Sequence, residues 1–354
     1  MLINTNVILR EMLIMKYRIY FLEFLTPVHF ADNNFGGDLE KASFYCSADT
    51  YFSAICSEAN LISKEILQSI IERFEQRKLA ISSLFPYYYS AQNDDLQLYL
   101  PKIYLSVDNL SKIDSYPEQK KYSRLWKQND KEDFIRISEI KNWLQSINDK
   151  EVYIIDNPIF AIENTMEKVA CRGQEPLPYF VNSYKFNDNA GLYFILGYEE
   201  DNDAIIMEKI IESLGYSGIG GKKSSGYGKY KFFDDFIELS ETDSIYKDDL
   251  ILTKMINIDM CANRGRKLCI APLLPRKEDV KYISVGNYKI VKRSGFIYDQ
   301  NTHNKKRKNN LYMLAEGSCL MKYLEGMMLK EEYEGISYPI YRNGMGMFVG
   351  IDYE

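Results

Sequence analysis

Only two histidines, His29 and His303, and six cysteines, Cys46, Cys56, Cys171, Cys261, Cys269 and Cys319, could supply imidazole or thiol chemistry in this chain. No two cysteines stand in a C-x-x-C pair, and no Cys/His cluster has zinc-ligand spacing. That pattern removes most zinc hydrolases, and no metal or other cofactor is expected. Ser-His or Cys-His catalysis could rest only on His29 or His303. Scattered cysteines in a chain of this size, with no secretion signal, read as the reduced thiols of a cytoplasmic protein.

The segment with the most suggestive spacing is of another kind. It runs Gly218-Ile219-Gly220-Gly221-Lys222-Lys223-Ser224-Ser225-Gly226-Tyr227-Gly228-Lys229-Tyr230. Five glycines in eleven residues remove Cβ atoms, permit positive φ, and let backbone N–H groups converge on an anion. Lys222 and Lys223 add charge, and Ser224 and Ser225 add hydroxyl donors. A Walker loop is excluded by spacing, because Gly221 stands where the lysine is required. The loop also leads from a helix into a strand, opposite to the phosphate loops of nucleotide enzymes. The competing reading is a plain surface turn.

The elements that must hold this loop can be read from periodicity. Residues 17–26 are apolar or aromatic at nearly every position and end at Pro27, as in a central strand buried on both faces. Ala48, Tyr51, Phe52, Ile55, Cys56 and Ala59 mark a helical face over 47–59, with Ser47 as N-cap and Asp49 favouring the first-turn N–H groups. Ile66, Leu67, Ile70, Ile71 and Phe74 mark a second helix. Strands follow at 81–89 and 96–103 around Asn93-Asp94-Asp95. Residues 104–170 read as polar and irregular, with Trp126 and Trp143 as packing anchors, and much of 104–180 is expected to order only against RNA or a neighbouring subunit. A hairpin is expected between 180–186 and 191–198. A helix over 203–214 follows, closed by Gly215, and then a strand over 227–233. The resulting order, β-α-(α)-β-β-insertion-β-β-α-loop-β, fits an α+β ferredoxin-like sheet with an insertion. Strands at 267–274, 288–298, 310–320 and 338–351 suggest a second, degenerate copy. The division is 1–14 as an N-terminal extension rather than a signal peptide, 15–237 as the first domain with its insertion at about 104–175 and glycine-rich loop at 218–228, 238–249 as an acidic linker, and 250–354 as the second domain.

With 354 residues, 46% hydrophobic and 27% charged, the chain is neither disordered nor short of core. No apolar run is long enough to span a bilayer as a helix. The net charge is −6, which argues against indiscriminate nucleic-acid binding. The charge is nevertheless segregated. Four lysines and no acid lie between Ser213 and Phe233; Arg264, Arg266, Lys267, Arg276 and Lys277 lie in an acid-free stretch; and seven basic residues stand against Asp299 alone from Lys289 to Lys308. The segment from Glu238 to Asp249 carries five acids and one lysine. Segregated basic segments suit a polyanion held along a defined track.

The G-x-G-x₅-G-x-G arrangement, followed by a basic and an aromatic residue, resembles the glycine-rich loop of the RAMP superfamily of CRISPR proteins. Thr26-Pro27-Val28-His29-Phe30, Ser47 to Ala54, Asn189 to Phe194, Arg293-Ser294-Gly295-Phe296, Tyr312 to Ser318 and Tyr338 to Gly344 narrow the likeness. Together they are similar to the fourth Csm subunits of the type III-A CRISPR interference complex, from about residue 15 to the end. The resemblance implies two ferredoxin-like, RNA-recognition-type domains in a non-catalytic subunit of an antiviral ribonucleoprotein. Such a subunit holds the 5′ repeat-derived handle of the CRISPR RNA and joins the large palm-domain subunit to the first backbone subunit.

The RNA-binding residues expected on this basis are His29, Arg172, Gly218, Ile219, Gly220, Gly221, Lys222, Lys223, Ser224, Ser225, Gly226, Tyr227, Gly228, Arg264 and Arg293. Arg172 enters through Cys171-Arg172-Gly173 to Pro178-Tyr179, which resembles the family's RNA-proximal loop. Single-stranded RNA is held by backbone donors, cations and aromatic platforms, and 29 tyrosines supply candidate faces. The runner-up is a RAMP endoribonuclease processing precursor CRISPR RNA with His29 as general acid/base. The third reading is a protein–protein scaffold whose basic runs are incidental.

Overall fold

A computed structural model of the chain describes residues 15–31, 39–105, 115–149, 153–172, 175–261, 265–298 and 305–351. The extension at 1–14, Arg264 and His303 lie outside these. The chain enters through β1 (Lys16–Phe24), then α1 (Ala48–Ile62), α2 (Lys64–Glu75), β2 (Leu79–Ile81), β3 (Phe85–Ser90) and β4 (Asp95–Pro101). The insertion holds α3 (Tyr116–Asn129), β5 (Phe134–Arg136), α4 (Ile140–Asp149) and the paired strands β6 (Ala161–Arg172) and β7 (Glu175–Phe186). Next come β8 (Ala190–Tyr198), α5 (Asp201–Ser217), β9 (Tyr230–Phe232), β10 (Ile237–Glu238) and α6 (Lys247–Cys261).

The main sheet is antiparallel, in the order β9-β1-β8-β3-β4-β5, with β2 added to β8 and β10 to β1. β8 is buried along its whole length, which explains its place at the centre. α1 and α5 pack together on one face, and Tyr51 of α1 meets Phe194 of β8 edge-on at 5.3 Å between ring centres.

Three expectations are corrected here. β7 and β8 do not form a hairpin. After the Asn187–Asn189 turn β8 joins β1 and β3, while β7 pairs with β6 from Ala161↔Phe186 to Arg172↔Glu175. A strand with two apolar faces takes sheet neighbours on both edges, and the more polar β7 is left to the ribbon. Second, the described part of 104–170 is largely regular, holding α3, β5, α4 and most of β6. Ile140, Trp143, Leu144 and Ile147 follow the i, i+3, i+4, i+7 rule and are all buried in α4. Third, α5 does not close at Gly215 but runs to Ser217, with Gly218 (φ +79°) at its end.

Three of the five acids of 238–249 are drawn into the fold, while Glu241 and Asp243 stay exposed. Glu238 accepts from Arg18 at 2.9 Å. Asp248 accepts from Arg136 Nε at 2.9 Å and from the Leu98 N–H at 3.0 Å. Asp249 accepts from the Ile245 and Tyr246 N–H groups ahead of α6. The C-terminal half builds a three-stranded sheet, in which β11 (Arg266–Cys269) lies between Cys319–Leu320 and Phe348–Ile351. Its other strands pair as hairpins. One apolar core is continuous through both halves, from Ile19 and Phe194 to Leu252, Ile270 and Val349. Among the described residues, no helix is long and apolar enough to cross a membrane.

Two polar ties bind α1 to the C-terminal half. Ser47 stands at the N-cap but makes no side-chain cap. The Ala48 N–H donates instead to Ser83 Oγ at 2.8 Å, and Ser83 donates to Glu316 at 2.5 Å. Asp49, expected to serve the helix N–H groups, accepts both edges of Arg293: Nε at 2.9 Å and Nη2 at 2.5 Å. Burial pulls the Arg293 pKa down, but Asp49 more than offsets it and the net shift is upward. Arg293→Ala would leave a buried, unpaired carboxylate. We expect it to cost roughly 3–5 kcal/mol, read from the urea midpoint, whereas Asp49→Leu with Arg293→Met recovers most of that loss.

Candidate RNA-binding site

The glycine-rich loop is folded against the chain leaving β1. The Gly221 N–H donates to the His29 carbonyl at 2.8 Å, and the Gly228 N–H to the Pro27 carbonyl at 2.9 Å. The Ile219 N–H donates to the Gly228 carbonyl at 3.0 Å and closes the loop. Gly220 (φ +87°) lies so close that a Cβ would stand 2.7 Å from the His29 carbonyl oxygen. At Gly228 (φ +74°) a Cβ would stand 2.0 Å from the Ile219 carbonyl oxygen. The glycines thus serve close backbone packing first, and most of the loop's N–H groups are spent on it. Among the described residues, no acceptor is found for the N–H groups of Lys222, Lys223 and Ser224, at the loop's outer turn.

His29 is the strut beneath the loop. Its ring is buried, and Nδ1 lies 2.6 Å from the Asn182 carbonyl of β7. A carbonyl only accepts, so Nδ1 is the donor of this bond. The Val28 N–H donates to the Tyr184 carbonyl at 2.8 Å, so the same segment also ties down the β6–β7 ribbon. The ribbon brings two further pairs to the loop. Lys222 Nζ lies 4.7 Å from the Tyr179 ring centre, and Lys168 Nζ lies 5.0 Å from that of Tyr227.

The expected site residues therefore separate. Lys222, Lys223, Ser224, Ser225 and Gly226 form the outer turn, and Lys223, Ser224 and Ser225 are exposed. Ile219 is buried in the core, and Tyr227 is nearly so, its hydroxyl 3.5 Å from Met166 Sδ. Gly218, Gly220, Gly221 and Gly228 form the loop's base. His29 supports the loop through its carbonyl and ring rather than presenting the ring to a ligand. Arg172 sits at the end of β6. Arg293 is corrected: it is buried, bonded to Asp49 and to Thr50 Oγ1 at 2.7 Å, so it joins the two halves of the chain. Lys168 was not apparent from sequence, because only the packing of the ribbon against the loop places it over Tyr227. Among the described residues, no group of three His, Cys, Asp or Glu side chains could hold a metal ion.

Residues 262–351 match the model of the CRISPR Csm4 C-terminal domain family. The CRISPR system Cms protein Csm4 of Streptococcus thermophilus is 26% identical over 316 residues, 89% of this chain and 92% of that protein. Csm4 of Mycobacterium tuberculosis strain H37Rv is 23% identical over 95% of this chain and 98% of its own length. The chain is thus similar to Csm4 proteins along most of its length. Its fold is that of solved Csm4 structures. The Csm3-Csm4 subcomplex of the type III-A CRISPR-Cas interference complex aligns with a TM-score of 0.58 at 20% identity, over 95% of this chain and 99% of the compared one. The Csm1-Csm4 cassette in complex with cA4 aligns with a TM-score of 0.56 at 16% identity, over 96% and 99%. The mixed α+β architecture expected from the sequence is the one found.

The base and the outer turn of the loop should respond differently to an added methyl group. Gly228→Ala must push Ile219 out of the core, and we expect a loss above about 2 kcal/mol with new proteolytic cleavage in 218–228. At Gly226 no atom lies within 4 Å of an added Cβ. Gly226→Ala bears only the positive-φ strain, about 1 kcal/mol, and leaves the proteolytic pattern intact.

Proposed function

We propose that this chain is a non-catalytic RNA-binding subunit of a type III-A CRISPR antiviral effector. On this reading it holds the 5′ repeat-derived handle of the CRISPR RNA and bridges the large palm-domain subunit to a backbone subunit. The observation that carries the proposal is the braced loop. Its base is locked to Pro27 and His29, while the N–H groups and side chains of Lys222, Lys223 and Ser224 lie on the outer turn beside Tyr179. A rigid turn presenting cations, hydroxyls and N–H donors next to an aromatic face suits a single-stranded phosphate backbone. Alignment over nearly the whole chain with Csm4 from a Csm3-Csm4 subcomplex and from a Csm1-Csm4 cassette supports the two protein interfaces.

The strand order β9-β1-β8-β3 under α1 and α5 supports reading the first half as a ferredoxin-like, RNA-recognition-type domain. We read the C-terminal half as a reduced second copy, with residues 238–249 between the two. Cleavage by His29 fits the geometry poorly. The ring is buried, Nδ1 is committed to Asn182, and among the described residues no second acid or base is apparent beside it.

Two measurements test the reading. Incubation of the purified chain with repeat RNA should give a bound complex and no cleavage products; defined products would favour the endoribonuclease. Lys222→Ala with Lys223→Ala should weaken handle binding most at low salt. The log–log salt slope should become shallower by about 0.7 for each phosphate that is no longer neutralised. An unchanged slope with unchanged affinity would return the loop to a plain turn.

A further inference from the structure

The basic run from Lys289 to Lys308 is not used by the loop site. The structure divides its charges. Arg293 is spent on Asp49, and Lys306 Nζ donates to the Glu334 carbonyl. Lys308 is drawn inward, where burial first and Arg342 second lower its pKa. Lys292 and Arg307 remain exposed.

These two cations sit on one face of a long hairpin. Strands Ile290–Arg293 and Leu311–Leu314 pair from Ile290↔Leu314 to Arg293↔Leu311. Phe296–Tyr298 pairs onward with Lys305–Arg307, beginning at Phe296↔Arg307. The Lys308 N–H donates to the Gly295 carbonyl at 2.9 Å and bridges the two ladders. Side chains alternate along the first strand: Val291, Arg293 and Ile297 are buried, while Ile290, Lys292 and Phe296 face outward. Directly across, Tyr312 stands opposite Lys292 and Arg307 opposite Phe296. Tyr312 is 60% and Phe296 47% exposed. The outward row therefore offers two aromatic rings, two cations, an isoleucine and no acid, in a protein of net charge −6.

We propose that this outward hairpin face is a second contact surface for single-stranded RNA, with Tyr312 and Phe296 stacking bases and Lys292 and Arg307 neutralising phosphates. The inference extends the RNA-holding reading and supplies a surface that the loop does not include. Two arguments favour RNA over a protein partner. An acid-free row of alternating rings and cations complements a strand that carries a charge and a π-face at every nucleotide. The row is also linked to the loop through Phe30. Lys292 and Ser294 line a small cavity together with Thr50 and Phe30, and Phe30 packs under Gly220 of the loop.

The test uses the full chain and a fluorescein-labelled 20-nucleotide oligouridine containing 4-thiouridine. Phe296→Ala and Tyr312→Ala should each weaken binding about tenfold, and the double variant about a hundredfold. Tyr312→Phe should keep wild-type affinity, because the ring is retained. Lys292→Ala and Arg307→Ala should each make the log–log salt slope shallower by about 0.7. Photocrosslinks should map to 290–314 as well as to the loop. These rings are on the surface, so unchanged melting of the variants is expected and checks the fold. Loss of binding in the ring variants, with Lys222→Ala/Lys223→Ala silent, would support the hairpin and overturn the loop reading. Intact binding in the ring double variant, with the loop variant impaired, would overturn the hairpin proposal and leave the loop reading standing. Unchanged RNA affinity together with failure to capture a co-expressed complex subunit would also overturn it, and would make the face a protein interface.

Discussion

The backbone leaving β1 and the backbone of the glycine-rich loop approach too closely for a side chain to stand between them. Gly220 and Gly221 rest on His29, the Gly228 N–H reaches Pro27, and Ile219 is carried into the core. That close approach fixes where Lys222, Lys223 and Ser224 emerge. It also determines the ribbon, because His29 and Val28 bond to the Asn182 and Tyr184 carbonyls of β7. A single stretch, Pro27 to Phe30, therefore sets the loop, the ribbon and the Lys–Tyr pairs between them.

The glycines are required for packing before they are required for any ligand. A phosphate-cradling loop needs bare backbone facing outward, and this one faces much of its bare backbone inward. What it offers a polyanion is a small, stiff outer turn. Stiffness has a physical consequence: a pre-formed turn loses little conformational entropy on binding, so even a few charge-assisted hydrogen bonds can hold a flexible strand.

A shared core and two polar ties join the two halves. The core passes without a break from the main sheet into Leu268, Ile270 and Val349. The Asp49–Arg293 pair and the Ser83–Glu316 bond tie the start of α1 to the C-terminal half. Hydrophobic burial does not specify one relative placement, whereas a bidentate ion pair does. Arg293 thus performs a different task from the phosphate binding that its place in a basic run suggested.

The sequence alone determined the elements whose signal is local. The apolar run of β1, the helical faces of α1 and α2, and the glycine spacing of the loop each depend on neighbours a few residues away, and each is found. The family likeness was also present in short segments of unbroken sequence. Tertiary structure decided whatever depends on partners far along the chain. β8 turned from an expected hairpin with β7 to the centre of the sheet, because strand pairing is chosen by burial on both edges rather than by adjacency. α4 carried a legible apolar period inside a stretch judged by its polarity. Asp49 read as a capping charge, Arg293 as an RNA-binding one, and Glu238 and Asp248 as part of an acidic linker, until partners from distant segments took them up: Asp49 and Arg293 each other, Arg18 for Glu238 and Arg136 for Asp248. Charge can be counted in a sequence, but whether it meets water, RNA or another charge depends on distances that only the folded chain defines.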